Sequence, residues 1–158
     1  MRLLASTDFA LRILLRLVVA PANRLDSSAL AAATGVPRNH VHKIVQALAA
    51  AGHVRTARGG GGGVTLAREP ARIAVGAIVR LFEGGQNLVE CFRADGGACP
   101  LSPDCVLRGV LDRARRGFLK ELDAVSLADC APGTLTGRPG IPAASRRPTR
   151  RKLAGAGR

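Results

Sequence analysis

Three cysteines, Cys91, Cys99 and Cys105, fall within fifteen residues, separated by seven and then five others, in a segment that also carries Gly96, Gly97, Pro100 and Pro103. Thiolates are soft ligands that select zinc or iron-sulfur clusters, and glycine and proline can shape a loop that wraps such a group. Three ligands leave one coordination position to be filled from elsewhere. A structural zinc would want a fourth cysteine, and Cys130 is the only one left. Three cysteines with a weaker oxygen ligand suit an iron-sulfur cluster meant to react, because a labile position admits a small molecule. Unmetallated thiols switched by oxidation are a third reading, since the spacing lacks the Cys-x-x-Cys pairs that mark a zinc ribbon or a ferredoxin. No histidine follows nearby: His40, His42 and His53 all belong to the N-terminal, basic part of the chain.

That basic part is the second chemical feature. The 158 residues carry a net charge of +13. Residues 1–60 hold eight Lys and Arg against Asp8 and Asp26, residues 61–130 hold nine basic against nine acidic groups, and residues 131–158 hold seven basic groups and no acid. Clustered Lys and Arg attract phosphates and release counterions on contact, so a polyanion is the partner this distribution fits. Catalysis is not what the chain is equipped for. It offers no Ser/His/Asp or paired-carboxylate grouping, its histidines sit among basic residues, and no enzyme activity is expected.

The elements that would position these groups are mostly helical. Apolar residues make up 47% of the sequence but aromatics only 3%, a composition that favours packed helices over a β-sandwich. Ser6-Thr7-Asp8 supplies capping chemistry for a first helix running to about Val19. Phe9, Ile13, Leu17 and Val18 fall on one face of it, while Asp8, Arg12 and Arg16 interrupt what could otherwise pass for a signal peptide. A second helix starts after Asp26 and stops at Gly35. A third opens at Pro37 and runs Arg38 to Ala51, with Val41, Ile44, Val45 and Leu48 turned inward and Arg38, Asn39, His40, His42 and Lys43 gathered near its N-terminal end.

Two short helices joined around Gly35, the second opening with polar and basic side chains, match a helix-turn-helix. His53 to Thr56 and Val64 to Leu66 read as strands joined by Arg58-Gly59-Gly60-Gly61-Gly62-Gly63, a hairpin with a glycine-rich tip. Glycines let a backbone approach a groove wall, and Arg55 and Arg58 supply charge, so the hairpin reads as a wing. The run lacks the Lys-Ser/Thr ending of a nucleotide-binding loop.

A further helix is expected over Ile73 to Glu83, with Ile73, Ala77, Ile78 and Leu81 on one side, ended by Gly84-Gly85. After the cysteine loop a longer helix spans about Pro103 to Val125, where Leu107, Leu111, Ala114, Phe118 and Leu122 recur at three- or four-residue steps. Such a stripe needs a partner, and the same helix of a second subunit is the one expected. Three regions follow: a winged helix-turn-helix over 1–70; a connecting helix, cysteine loop and dimerisation helix over 71–130; and a disordered basic tail over 131–158. The fold class is mainly α with a small β-hairpin wing. No run approaches the ~20 apolar residues of a membrane span, and a cytoplasmic location, with cysteines reduced or metal-bound, is expected.

Taken together, these residues resemble the Rrf-two family of iron-sulfur winged-helix regulators. Ser6-Thr7-Asp8-Phe9-Ala10-Leu11-Arg12 looks like the family's first helix, Val36-Pro37-Arg38-Asn39-His40-Val41-His42-Lys43-Ile44 like its recognition helix, and Arg58 to Leu66 like its wing. Leu88-Val89-Glu90-Cys91, Cys99-Pro100-Leu101 and Ser102-Pro103-Asp104-Cys105 fit its cysteine loop. The resemblance covers about residues 1–130 and is strongest to the branch of nitric-oxide-sensing repressors. In another branch a histidine three residues after the last cysteine is a ligand, but Arg108 stands there in this chain.

The resemblance implies a homodimer on a near-palindromic double-stranded operator. Arg38, Asn39, His40, His42, Lys43, Arg55 and Arg58 would contact DNA. A cluster, 4Fe-4S or 2Fe-2S, would be held by Cys91, Cys99, Cys105 and Asp8 of the partner subunit. Read without the family, Asp8 is a helix cap with a favourable dipole interaction. Cys130 has no family counterpart and reads as a buried or free thiol.

Overall fold

The structure, a computed structural model, describes residues 2–20, 24–59, 62–101 and 104–131. The expected basic tail therefore lies outside the described residues, except for Ala131. The first helix, α1 (Ala5–Val18), buries Thr7, Ala10, Ile13, Leu14 and Leu17 along one face. Its start differs from expectation. Leu4 is the residue before the first turn and supplies no side-chain cap, while Ser6, Thr7 and Asp8 lie inside the helix. The acceptor comes instead from a distant element: Glu83 Oε1 accepts the Leu4 N–H at 2.7 Å and also the Thr7 hydroxyl.

The short strand β1 (Arg24–Leu25) was not apparent in the sequence, because two residues carry no alternation. Helix α2 (Ser27–Thr34) begins where Asp26 accepts the N–H groups of Ser28 at 2.7 Å and Ala29 at 2.8 Å, a cap worth about 1 kcal/mol. It ends at Gly35, whose φ of 68° lets the chain turn in the left-handed region. Pro37 stands just before α3 (Arg38–Ala50) rather than in its first turn. Val41, Ile44, Val45 and Leu48 are all buried, as the periodicity required.

Strand β2 (Val54–Ala57) pairs antiparallel with β3 (Gly63–Leu66), in the register Val54–Leu66, Arg55–Thr65, Thr56–Val64. The β2 strand lies one residue later than the sequence predicts, because His53 is spent on the turn, donating its N–H to Leu48 O at 2.9 Å. β1 joins the other edge of β3 through Arg24–Thr65 and Leu25–Val64, so the hairpin becomes a three-stranded sheet in the order β1-β3-β2.

After a 3-10 turn at Pro70–Arg72 comes α4 (Val75–Glu83). The expected start at Ile73 gives way to strand-like pairing, in which Leu127 N donates to Ile73 O and Val75 N to Val125 O, both at 2.9 Å. The buried face of α4 is Val75, Gly76, Ile78 and Val79; of the expected face, Ile73 and Ile78 are buried and Ala77 is partly covered, while Leu81 is exposed. A 3-10 turn at Glu90–Phe92 opens the cysteine loop, and α5 (Val106–Asp123) follows it, leading into the segment that returns Leu127 to Ile73.

No residue of α5 is buried within one chain. Its expected stripe divides: Phe118 and Leu122 rest on the core, with Leu119 beside them, whereas Leu107 and Ala114 are exposed, and Val106 and Val110 face outward next to Leu107. One continuous core takes Ile13, Leu14 and Leu17 from α1, Leu30 from α2, Ile44 and Leu48 from α3, Val64 from β3, Ile78 from α4, and Leu127. Burial of these aliphatic side chains, each worth about 1.5–3 kcal/mol, is what sets α3 and the sheet against α1.

Candidate DNA interface and cysteine loop

Helix α3 spends its apolar residues on the core, and what remains is a polar surface. Arg38, Asn39, His40, His42 and Lys43 are all exposed. Asn39, His42 and Lys43 share an outward strip at helical spacing, and Gln46 continues it one turn further. Gln46 was not singled out in the sequence, although the same periodicity extends to it. His40 leans the other way: its ring meets the edge of Phe9 on α1, with centroids 5.6 Å apart.

The sheet sets the other basic residues. Arg55 and Arg58 are exposed on and just after β2. The turn beyond them requires glycine: Gly59 has φ of 94°, Gly62 N donates to Gly59 O at 2.8 Å, and a Cβ on Gly62 would meet Ala57 O at 2.5 Å. Gly60 and Gly61 lie outside the described residues.

The basic residues of this surface carry no ion pairs among the described residues. Six arginines elsewhere are compensated locally: Arg12 by Asp8, Arg72 by Glu69, Arg80 by Asp123, Arg93 by Asp95, and Arg115 and Arg116 by Asp112. Among the described residues no carboxylate pairs with Arg38, Lys43, Arg55 or Arg58. Their positive potential is therefore available to an external anion.

The cysteine loop is braced by carboxylates. Asp95 takes the Arg93 guanidinium at 3.0 and 2.7 Å and the Gly97 N–H at 3.0 Å, and those bonds hold its carboxyl below the usual range. Glu90 accepts the Ala98 N–H at 3.3 Å. Gly97, with φ of 64°, lies so close that a Cβ would sit 2.7 Å from Glu90 O. Arg115 of α5 stacks over Phe92 at 5.5 Å, tying the loop to that helix. A cleft of about 600 Å³ opens between them, bordered by Phe92, Cys105, Arg108 and Asp112.

The thiols themselves are only partly brought together. Cys91 is buried, Cys99 and Cys105 are partly exposed, Cys105 immediately precedes α5, and none is in a disulfide. Among the described residues no three His, Cys, Asp or Glu side chains form a group that could hold a metal ion. The donor set still suits iron: three free thiols on one braced loop, needing one ligand from elsewhere. Asp8 is half-exposed on α1 and bound by Arg12 through Nε at 3.1 Å and Nη2 at 2.5 Å. Arg12 in turn lies 5.9 Å from the Phe9 ring centroid, so Asp8, Arg12, Phe9 and His40 run in sequence from α1 to α3. Cys130 forms no disulfide and packs against the core.

The chain is 43% identical over 130 residues to the HTH-type transcriptional regulator NsrR of Geobacillus kaustophilus, covering 82% of this chain and 88% of the relative. It is 38% identical to the NsrR of Bacillus subtilis, covering 82% and 89%. Among solved structures it matches the T. potens IscR at 23% identity with a TM-score of 0.66, covering 82% and 85% of the two chains. It also matches CymR, the global cysteine regulator of B. subtilis, at 24% identity with a TM-score of 0.67, covering 83% and 96%. These two share the winged-helix fold. The relatives are transcriptional regulators and not enzymes, and the family model described as Rrf2, iron-dependent transcriptional regulator, matches residues 3–132. The chain belongs to the Rrf2 family of transcriptional regulators.

Proposed function

We propose that this protein is a cytoplasmic, homodimeric repressor whose hold on a near-palindromic operator is controlled by an iron-sulfur cluster sensitive to nitric oxide. The observation that carries the DNA-binding part is the exposed polar and basic strip of α3 beside the basic wing, where no carboxylate among the described residues pairs with Arg38, Lys43, Arg55 or Arg58. Arg38, Asn39, His40, His42 and Lys43 divide base and phosphate contacts in a major groove, and Arg55 and Arg58 serve the wing. Among the described residues no helix is long and apolar enough to cross a membrane.

Cys91, Cys99 and Cys105 would hold the cluster, 4Fe-4S or 2Fe-2S, together with Asp8 of the partner subunit. When bound, it supplies iron that nitric oxide can attack. The protein's part is positional. Glu90 and Asp95 shape the loop that presents the thiols, and Arg115 fixes that loop to α5. Asp8 stands at one end of the contact series that reaches His40, so its engagement or release is felt where α3 meets α1. Two ligands, cluster and operator, that favour one dimer geometry must each strengthen the other's binding.

Anaerobic purification with iron, sulfide and zinc analysis, followed by operator binding before and after nitric oxide, tests this reading. Iron with sulfide and a loss of operator affinity after nitric oxide are expected. A colourless protein that holds zinc or no metal, and binds its operator equally in both conditions, would sink the sensor and leave a zinc-stabilised or redox-switched regulator. Asp8→Ala should fold normally but lose its cluster faster; an unchanged cluster lifetime would overturn that ligand assignment.

A further inference from the structure

Glu83, the last residue of α4, does something its position in the sequence does not advertise. Its carboxylate oxygen Oε1 accepts both the Leu4 N–H, at 2.7 Å, and the Thr7 hydroxyl. Thr7 is fully buried, the one polar side chain so placed among the described residues. Leu4 precedes α1, which has no cap of its own, so a carboxylate 79 residues away takes over the capping of that helix. A negative charge at a helix N-terminus also complements the helix dipole. Asp8 follows Thr7 directly. On the other side of Glu83 stand Gly84 and Gly85, which start the segment leading to Cys91.

We propose that Glu83 is a positioning residue for the sensor: by clamping the first turn of α1 to the end of α4 it sets where Asp8 is presented, and it joins that presentation to the base of the cysteine segment. The inference rests on the reading of Asp8 and the three cysteines as cluster ligands. Glu83 itself holds no metal in this scheme. Both of its bonds go to one oxygen, so a glutamine amide oxygen in the same place can accept both. Alanine can accept neither. Positioning and charge are thereby separable.

The test uses the full-length protein, reconstituted anaerobically, in four forms: wild type, Glu83→Ala, Glu83→Gln and Thr7→Val. Two measurements are made. In the cluster-free protein, amide exchange at Leu4 should quicken in Glu83→Ala and stay slow in Glu83→Gln. In the loaded protein, the visible absorption should decay under a chelator about 10-fold or more faster in Glu83→Ala than in wild type, a size usual for residues that orient metal ligands. Glu83→Gln should restore the wild-type lifetime, and Thr7→Val, which removes one bond but keeps the cap, should fall between.

A Glu83→Ala protein that exchanges faster at Leu4 but keeps the wild-type cluster lifetime would reduce the clamp to a stabilising contact and overturn the proposal. So would a Glu83→Gln protein as labile as alanine, which would show that the charge of Glu83, and not its two hydrogen bonds, is what the cluster needs. If Glu83→Ala does not fold, Thr7→Val decides through the cluster lifetime alone, and a wild-type lifetime in it overturns the proposal. A wild-type protein that takes up no cluster at all overturns the sensor reading, and the clamp's role in it, at an earlier step.

Discussion

Lys43 and Asn39 stand four residues apart on the outward strip of α3, but they should fail differently when removed. A lysine is a point charge suited to phosphate, so Lys43→Ala should weaken binding evenly across operator variants and lower the salt slope by about 1. Asn39 carries a donor and an acceptor that can read a base edge, and Asn39→Ala should relax preference at one base pair by about 1–3 kcal/mol. Affinities of both variants on a panel of operator variants, repeated at several salt concentrations, check the contrast. Equal salt slopes for Lys43→Ala and wild type would remove Lys43 from the phosphate contacts.

His53 raises a different question at this scale, because its ring nitrogen Nδ1 is buried with no hydrogen-bond partner among the described residues. Burial, and then the charge of Arg68, push its pKa below the ordinary 6.5. The unfolded chain therefore binds a proton there more readily than the folded one. The stability linked to His53 is complete above 6.5 and declines as pH falls from there through the lowered folded value. Thermal melts between about pH 8 and about pH 5 should show a shallower acid-side decline in His53→Leu than in wild type. An identical acid limb would exclude His53 as its source.

At the scale of elements, Gly76 tests the packing of α4 on α5. Alanine is favoured over glycine within a helix by about 1 kcal/mol. Here a Cβ would run into the Asp123 side chain and come within 3.0 Å of Asp123 N. Asp123 cannot simply swing away, because Arg80 grips both of its oxygens at 2.6 and 2.5 Å. The clash should win, with Gly76→Ala destabilising by about 1–3 kcal/mol and lowering Tm by roughly 4 °C for each kcal/mol. A Tm equal to or above that of wild type would mean that α5 yields easily.

The same elements show which parts of the fold could be read in the sequence. Helix α3 was legible because its apolar spacing and its burial coincide: Val41, Ile44, Val45 and Leu48 are covered from within the chain. Helix α4 was legible as a helix, with Ile73 and Ile78 inward as expected, but not its start, since Ile73 pairs with Leu127 before the helix begins. β1 was invisible because it exists only by pairing with β3. In the candidate site, the cysteines and basic residues announced themselves by type and spacing. The supports did not: Glu83 lies 76 residues from Thr7, and ordinary acidic residues such as Asp95 gain meaning only from what they touch. A capping motif was expected at Ser6-Thr7-Asp8 because local side chains usually serve that role. The long-range carboxylate removed the need.

For the whole molecule, the decisive surface is the one a single chain leaves uncovered. Val106 is 81% exposed, Leu107 60% and Val110 43%, all in the first turns of α5, while the last turns of that helix are anchored by Phe118, Leu119 and Leu122. A second copy of α5 would cover the outward residues and place two α3 strips on one operator. Two linked contacts bind far more tightly than one, typically by 10²–10⁴-fold, so assembly state and operator affinity should fall together. Val110→Glu puts a charge in the middle of that face without touching the core. Sedimentation should show the shift from dimer to monomer, circular dichroism should be unchanged, and operator affinity should drop by about 10²-fold or more. A Val110→Glu protein that remains dimeric with full affinity would show that the subunits meet elsewhere and that this half of α5 faces something other than its own copy.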